Sequence, residues 1–554
     1  MSGRRVGGAP SWALALLLVG CGRCGSSPDD TQPDDTAPDS QVEDTSGSVP
    51  IWDDADGDGY TEFYDCDDAD PAVHPAAQER CDDIDNDCDG AIDEGGVCSG
   101  ATELGPDDAV AVFYGVAPGD QAGQHSAGVG DLDGDGFGDL LLPSFAHDDP
   151  GDQAGVAYLF LGPVSGQLDA GQAYATYLGE AAGDNAGRTV GPAGDIDGDG
   201  VPDLLIGAPA SGAAAPAAGA VYVLLGPQLP GERSLALADA RILGQAEGDW
   251  LGDAEALGDM NLDGFDDVVV ASQFDKSLGD DAGVAYVVYG PISGDLSLSD
   301  ASIRLAGEQP GDQAGSAVAG PGDVTGDGIP DLLVGARYAD NGGGNSGAAY
   351  LFHGPVTASQ SLADADLVIP GSRPGAQLGA GWSLGAAGDH DGDGLGDLIM
   401  GGRGDSTVGA SAGAAWLLLA ADLPGLSSLD DASAGFIAEA AGDLAGTSVC
   451  GDFDLDGDGN LDLAIGASGA QGSVQAGAGA AFVILGPVLG QHSLADSDLI
   501  FRGVAADDMT GWSVEAAGDV LGLGAGGLLV GALGSDHAGA DAGAIYMLSY
   551  EVSR

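Results

Sequence analysis

The sequence predicts an all-β fold, a seven-bladed β-propeller, from three observations. An Asp-rich loop recurs through most of the 554-residue chain at intervals of 64 to 66 residues. Short apolar runs recur in register with it. No long segment carries the 3.6-residue apolar period of a helix. Each unit holds four strand-like runs, and one such unit cannot cover its own apolar faces. Seven of them stacked in a ring can.

The loop reads "GDLDGDGFGD" at 130, "GDIDGDGVPD" at 194, "GDMNLDGFDD" at 258, "GDVTGDGIPD" at 322, "GDHDGDGLGD" at 388 and "FDLDGDGNLD" at 453. A seventh, "GDVLGLGAGG" at 518, keeps only the first Asp. An apolar run such as "LLIGAP", "LLVGAR" or "LIMGGR" follows each loop, and a Gly-rich gap leads to a second, such as "AVYVLLGP". Then come a "SLADA"-like turn, a run such as "RILG", and a turn of the "GEAAGDNAG" kind.

The pattern Asp-x-Asp-x-Asp-Gly-x-x-Asp is itself chemistry. Side chains 1, 3, 5 and 9 with the carbonyl of 7 can surround one hard cation, expected to be Ca²⁺. The six predicted sets are Asp131, Asp133, Asp135, Phe137 and Asp139; Asp195, Asp197, Asp199, Val201 and Asp203; Asp259, Asn261, Asp263, Phe265 and Asp267; Asp323, Thr325, Asp327, Ile329 and Asp331; Asp389, Asp391, Asp393, Leu395 and Asp397; and Asp454, Asp456, Asp458, Asn460 and Asp462. The shorter Thr325 should weaken the fourth set. In unit seven, Leu521, Leu523 and Gly527 replace ligands, and no ion is expected there.

These units resemble FG-GAP repeats, the building blocks of the integrin α-subunit propeller, over about 440 residues. The resemblance implies an extracellular, calcium-binding propeller without catalytic residues. Its ligand site would lie on the face opposite the Asp-rich loops. The loops joining the second and third runs, such as 207–219 and 335–347, and the "GD" turns near 120, 184, 249 and 312 should share that face. Related calcium-loop propellers also occur in polysaccharide lyases and beside the catalytic domain of a phospholipase.

The last unit runs out after its third strand, "AIYMLS". Upstream of the first loop, "AVAVFYG" at 109–115 has the sequence context of a fourth strand without a unit. It should complete blade seven and close the ring.

The composition excludes several classes. With 89 Asp and Glu against 14 Lys and Arg, the net charge is −75. Phosphate binding needs clustered cations, so nucleic acid is not an expected partner, nor is electrostatic docking on an anionic bilayer.

At the N-terminus, Arg4 and Arg5 precede an apolar run from Trp12 to Val19, as in a signal peptide over 1–20. Leu18-Val19-Gly20-Cys21 resembles a bacterial lipobox, which implies lipidation of Cys21 and attachment to a membrane by that anchor alone. Gly22 is not the Asp that retains such proteins at the inner membrane, so an outer-membrane or cell-surface position is expected. Residues 21–50 read as a disordered acidic tether.

Residues 51–98 read as a small metal-binding module, irregular in structure and stapled by calcium and disulfides. Asp54, Asp56, Asp58, Glu62 and Asp65 follow an EF-hand-type loop, and Asp85, Asp87, Asp89 and Asp93 a second without a closing ligand. Cys66, Cys81, Cys88 and Cys98 are disulfide candidates, with three pairings open. The stretch resembles a metal-binding motif of bacterial surface proteins, similar in style to thrombospondin type 3 repeats. That family includes a copper-binding protein, but hard carboxylates do not favour copper.

Some motifs carry no function. Ser383 and Ser411 sit in GxSxG patterns, and Gly522, Gly524 and Gly527 in GxGxxG, as chance allows among 100 Gly. Arg403-Gly404-Asp405 spells RGD but aligns with a blade turn. Cys450 is expected to be a buried free thiol. The expected function is binding of a protein or matrix polysaccharide at the cell surface. The alternatives are a polysaccharide-degrading enzyme and a structural scaffold.

Overall fold

The computed structural model describes Val73 and residues 101–300, 303–471 and 477–549. The chain divides into two units, Met1–Cys98 and Ser99–Arg554. In the first, only Val73 is described, and it is buried. The predicted signal peptide, Cys21, the tether, and every metal and disulfide candidate of 51–98 lie outside the described residues.

The second unit is a seven-bladed β-propeller, with seven sheets in chain order. Blade two shows the pattern. Its strands Thr189–Gly194, Asp203–Ala208, Ala220–Leu224 and Ala240–Leu243 run antiparallel from the ring's centre outward. In every blade the Asp-rich loop joins the first and second strands. The second and third strands are buried along their whole length, as in "BBBBBB" for Asp203–Ala208, because both faces pack on neighbouring blades. Continuous apolar runs are what such positions require. The core is therefore divided among the interfaces between blades. One cluster joins Leu159 and Tyr177 of blade one to Ile206 and Tyr222 of blade two.

Six of the seven sheets have five strands, where four were expected. The fifth is lent by the following unit. Gly294–Ser297 pairs parallel with Ala240–Leu243, and Gly231–Ser234 with Ala175–Leu178. These segments are exposed or half-buried and carry no apolar alternation, so only an existing sheet edge makes them strands. Blade four keeps four strands; in unit five the segment after the third strand forms the 3₁₀ turn Ala420–Gly425. The "SLADA"-like turns are 3₁₀ turns such as Leu235–Leu237 and Leu362–Asp364. Each is capped by a Ser side chain and anchored by its buried leading Leu.

The ring closes as the sequence predicts. Ala111–Tyr114 pairs antiparallel with Ala544–Leu548 and completes blade seven. Just before it, Thr102–Leu104 pairs parallel with Leu499–Arg502 of blade six, a contact that nothing in the sequence signals.

The connections opposite the Asp-rich loops meet one another. Gly219, at the end of a second-to-third connection, bridges Leu251, and Gly248 N–H donates to the Pro216 carbonyl. Gly347 bridges Leu378 in the same way. The "GD" aspartates close their own turns. Asp184 accepts from Ala181 N–H, Asp249 from Ala246 and Asp312 from Gln309.

Candidate metal centres

Each Asp-rich loop folds around its first aspartate. Asp131 Oδ1 accepts from the N–H groups of Gly134 at 2.7 Å and Asp135 at 3.0 Å, and its Oδ2 from Gly136 at 2.8 Å. Asp133 Oδ1 accepts from Asp135 N–H, and Asp135 Oδ1 from Phe137 N–H. The glycines make this winding possible: Gly134 and Gly136 have φ of 78° and 95°, a region costly for residues with a Cβ. The bond to Oδ2 from the N–H five residues on recurs at Asp195, Asp259, Asp323, Asp389 and Asp454.

The ninth-position aspartate behaves differently. Asp139, Asp203, Asp267, Asp331 and Asp397 are 0% exposed and Asp462 1%. Each accepts at least twice from backbone, and Asp267 three times. Asp203 Oδ2 takes the N–H of Ile196 in its own loop at 2.8 Å, and Oδ1 that of Gly226 beyond the third strand at 2.7 Å. It therefore ties the loop to the blade, a role its spacing does not reveal.

Carboxylate oxygens converge within 4.8 Å in four loops: Asp131, Asp133 and Asp135; Asp195, Asp197 and Asp199; Asp389, Asp391 and Asp397; and Asp454, Asp456 and Asp462. Between them these groups use positions 1, 3, 5 and 9. Loops three and four place Asn261 and Thr325 at position 3. Asn261 Oδ1 is buried without a hydrogen-bond partner, which suits an oxygen donor facing a cation. Thr325 turns its hydroxyl to Asp323 Oδ1 at 3.2 Å.

The electrostatics agree with that donor set. Burial pushes the carboxyl groups of Asp203, Asp267 and Asp397 up to about 6 and that of Asp462 up to about 7. Backbone N–H groups pull them down, and neighbouring loop carboxylates such as Asp197 and Asp456 push them up again. A divalent cation among these oxygens reverses the sign of that field.

In blade seven, Asp519 still accepts from Leu523 and Gly524 N–H. The turn survives there although the other ligand positions are lost. Adjacent loops also touch: Gly138 N–H donates to the Asp519 carbonyl, Asp266 to Asp195, Gly396 to Asp323 and Gly526 to Asp454.

The remaining sequence motifs have structural roles. Ser383 is buried and its Oγ accepts from Ala380 N–H. Asp405 of the RGD triplet is 0% exposed and accepts from Ser372 Oγ and Thr407 N–H. Cys450 is a buried free thiol whose pKa burial raises.

The inner strands line a central cavity of about 270 Å³. There His125 Nε2 lies 3.3 Å from Glu515 Oε1, and its ring stacks against Trp382 at 5.4 Å. No sequence motif marks these residues. His125 and Trp382 lie in irregular segments just before the first strands of blades one and five, and Glu515 lies in the first strand of blade seven, so no spacing links them.

The comparisons with known proteins agree with this architecture. The FG-GAP repeat model matches residues 186–224, 314–352 and 445–484, and the Cu-binding MopE metal-binding motif matches 65–94. Integrin alpha pat-2 of Caenorhabditis elegans is 27% identical over 228 residues, covering 38% of this chain and 17% of its own length. Integrin alpha-PS5 of Drosophila melanogaster is 34% identical over 171 residues, covering 30% and 16%. Phosphatidylinositol-glycan-specific phospholipase D of Rattus norvegicus is 35% identical over 158 residues, covering 27% and 18%. The chain thus matches less than a fifth of the length of each of these relatives. The protein is a seven-bladed propeller that matches the FG-GAP repeat in blades two, four and six and is similar over part of its length to integrin alpha chains.

Proposed function

We propose that the propeller is a calcium-loaded binding module of the cell surface, anchored through lipidated Cys21, which holds a macromolecular ligand on the face opposite its Asp-rich loops. The observation that carries the metal reading is the convergence of carboxylate oxygens in four of the six loops that share the sequence pattern, with the orphaned Asn261 Oδ1 at a ligand position in a fifth. Oxygen-only donors of this charge suit Ca²⁺ over softer metals. Six ions would be held by the loops beginning at Asp131, Asp195, Asp259, Asp323, Asp389 and Asp454, and none by blade seven. One or two more would bind in the 51–98 module.

With one face committed to cations, the loops 207–219 and 335–347 and the "GD" turns supply the ligand surface. Similarity to integrin alpha chains supports adhesion to a protein or matrix polysaccharide, and the charge of −75 speaks against nucleic acid. Arrays of glycans and matrix proteins probed with calcium-loaded protein test this reading. A ligand lost on swapping loop 335–347, with melting unchanged, supports it. A ligand lost only on swapping Asp-rich loops, again without unfolding, overturns the choice of face. The similarity to rat phospholipase D favours a second reading, a propeller accompanying hydrolysis, for which product release would be the sign.

A further inference from the structure

Eight arginines lie among the described residues, and five of them meet a carboxylate. Arg233 pairs with Asp239, Arg241 with Glu180 and Asp295, Arg304 with Asp275, Arg373 with Asp405, and Arg502 with Glu103 and Glu439. In a chain with 89 acidic residues that outcome is expected. Arg188, Arg337 and Arg403 make no ion pair among the described residues.

These three belong to the face opposite the Asp-rich loops. Arg337 and Arg403 occupy the same position in adjacent blades, directly after the second strands Asp331–Ala336 and Asp397–Gly402. Each is held in the same way. Arg337 Nε donates to Gln313 Oε1 at 2.6 Å, and Arg403 Nε to Gln377 Oε1 at 3.2 Å. These bonds fix each guanidinium by its Nε and leave the Nη edge, the part that grips a carboxylate with two parallel bonds, without a partner among the described residues.

Arg188, entering blade two, lies 5.9 Å from the ring centroids of both Phe145 and Trp250. All three arginines are half-buried. The charges of Arg188 and Arg403 reach Arg337, and Asp253 is the carboxylate in the field of Arg188 and Arg337. Gln273 fills the corresponding position of blade three. It is buried, and its Oε1 has no hydrogen-bond partner.

We propose that this inner rim binds a uronate-bearing polysaccharide, whose carboxylates sit on the free Nη edges of Arg337 and Arg403, with Arg188 as a third anchor. The proposal rests on the ligand-face reading above and adds the chemistry of the ligand. The repetition selects a polymer. Two identical Arg–Gln pairs on adjacent blades match an anion that recurs at a fixed interval along its chain, as the carboxylates of a polyuronate do. Arginine positioned by glutamine and by aromatic rings suits a planar carboxylate, and the unpartnered Gln273 suits sugar hydroxyls.

The test measures binding of calcium-loaded full-length protein to hyaluronan, oligogalacturonate and oligomannuronate, with dextran and poly-glutamate as controls. We expect binding to at least one uronate polymer, weakening with salt. In Arg337→Gln/Arg403→Gln that affinity should fall about tenfold or more, the cost of two charge-assisted contacts. Arg502→Gln, which removes a paired arginine, should leave it unchanged. Arg337→Lys/Arg403→Lys keeps the charge and should recover only part of the affinity. If the double Gln variant melts early, Arg188→Gln should still weaken binding on a stable fold.

No binding to any of the three uronates, equal binding to dextran or poly-glutamate, or indifference to all the arginine variants would overturn the proposal. Indifference to the arginines with loss on swapping loop 335–347 would overturn it while sparing the ligand-face reading. Loss only on swapping Asp-rich loops would overturn both.

Discussion

Phe113, near the start of the propeller, stands opposite Ile545, near its end, in the antiparallel pair that closes the ring. Both are buried, and both belong to the cluster that joins blade seven to Leu142 and Phe160 of blade one. The closure is thus both a hydrogen-bonded seam and part of a core. Removing residues 21–98 should leave the melting temperature of the propeller nearly unchanged. Removing 21–117 should lower it by ten degrees or more, on the order expected for loss of a buried strand, or cause aggregation through the exposed edge. Equal melting of the two truncations would show that the seam does not hold the ring. A truncation at 104 should fall between, because Thr102–Leu104 leaves blade six with it.

Chelation should destabilise the fold. At ~2 mM Ca²⁺ and a Kd of ~10⁻⁴ M, each loop gains roughly 1.8 kcal/mol from binding. Asp197→Ala should remove one ion from the stoichiometry seen by calorimetry, whereas Asp519→Ala should remove none. Asn261→Asp should tighten its site by adding a charge. An unchanged melting temperature in excess chelator would refute the calcium assignment.

The pH dependence follows from the buried aspartates. In chelated protein, burial lifts Asp203, Asp267 and Asp397 to about 6 and Asp462 to about 7, against an ordinary carboxylate value of 3.8. The folded state then holds more protons than the unfolded one between those values. Stability that is present below pH 4 should be lost as pH rises through 6 to 7. Calcium competes with these protons, so the rise in melting temperature on adding calcium should grow from pH 5 to pH 7.5. A calcium effect independent of pH over that window would place the ions away from these aspartates.

Asp405 bears on the RGD triplet. Its carboxylate is buried, accepts from Ser372 and Thr407, and lies 3.7 Å from Arg373. Asp405→Ala should cost roughly 1–3 kcal/mol of stability by leaving buried donors unpaired. Cell attachment through integrins should not depend on this triplet, and inhibition of attachment by a soluble RGD peptide would contradict that.

The sequence by itself determined the number of blades, the place of each Asp-rich loop, the loss of ligands in blade seven and the closing strand at 109–115. All of these are local patterns repeated in register, and repetition makes even a weak pattern legible. Only the tertiary structure decided the rest. The fifth strands, such as Gly231–Ser234, have no periodicity and exist because a neighbouring edge offers its backbone. Asp139 and its equivalents read as ligands alone, yet each also clasps the end of a third strand 23 or 24 residues away, as Asp139 does Gly162 and Asp462 does Gly486. Arg337 and Arg403 were visible only as the last letters of two apolar runs. That they stay unpaired in so acidic a chain depends on which side chains the ring brings to its inner rim, and contacts between distant segments leave no spacing to read.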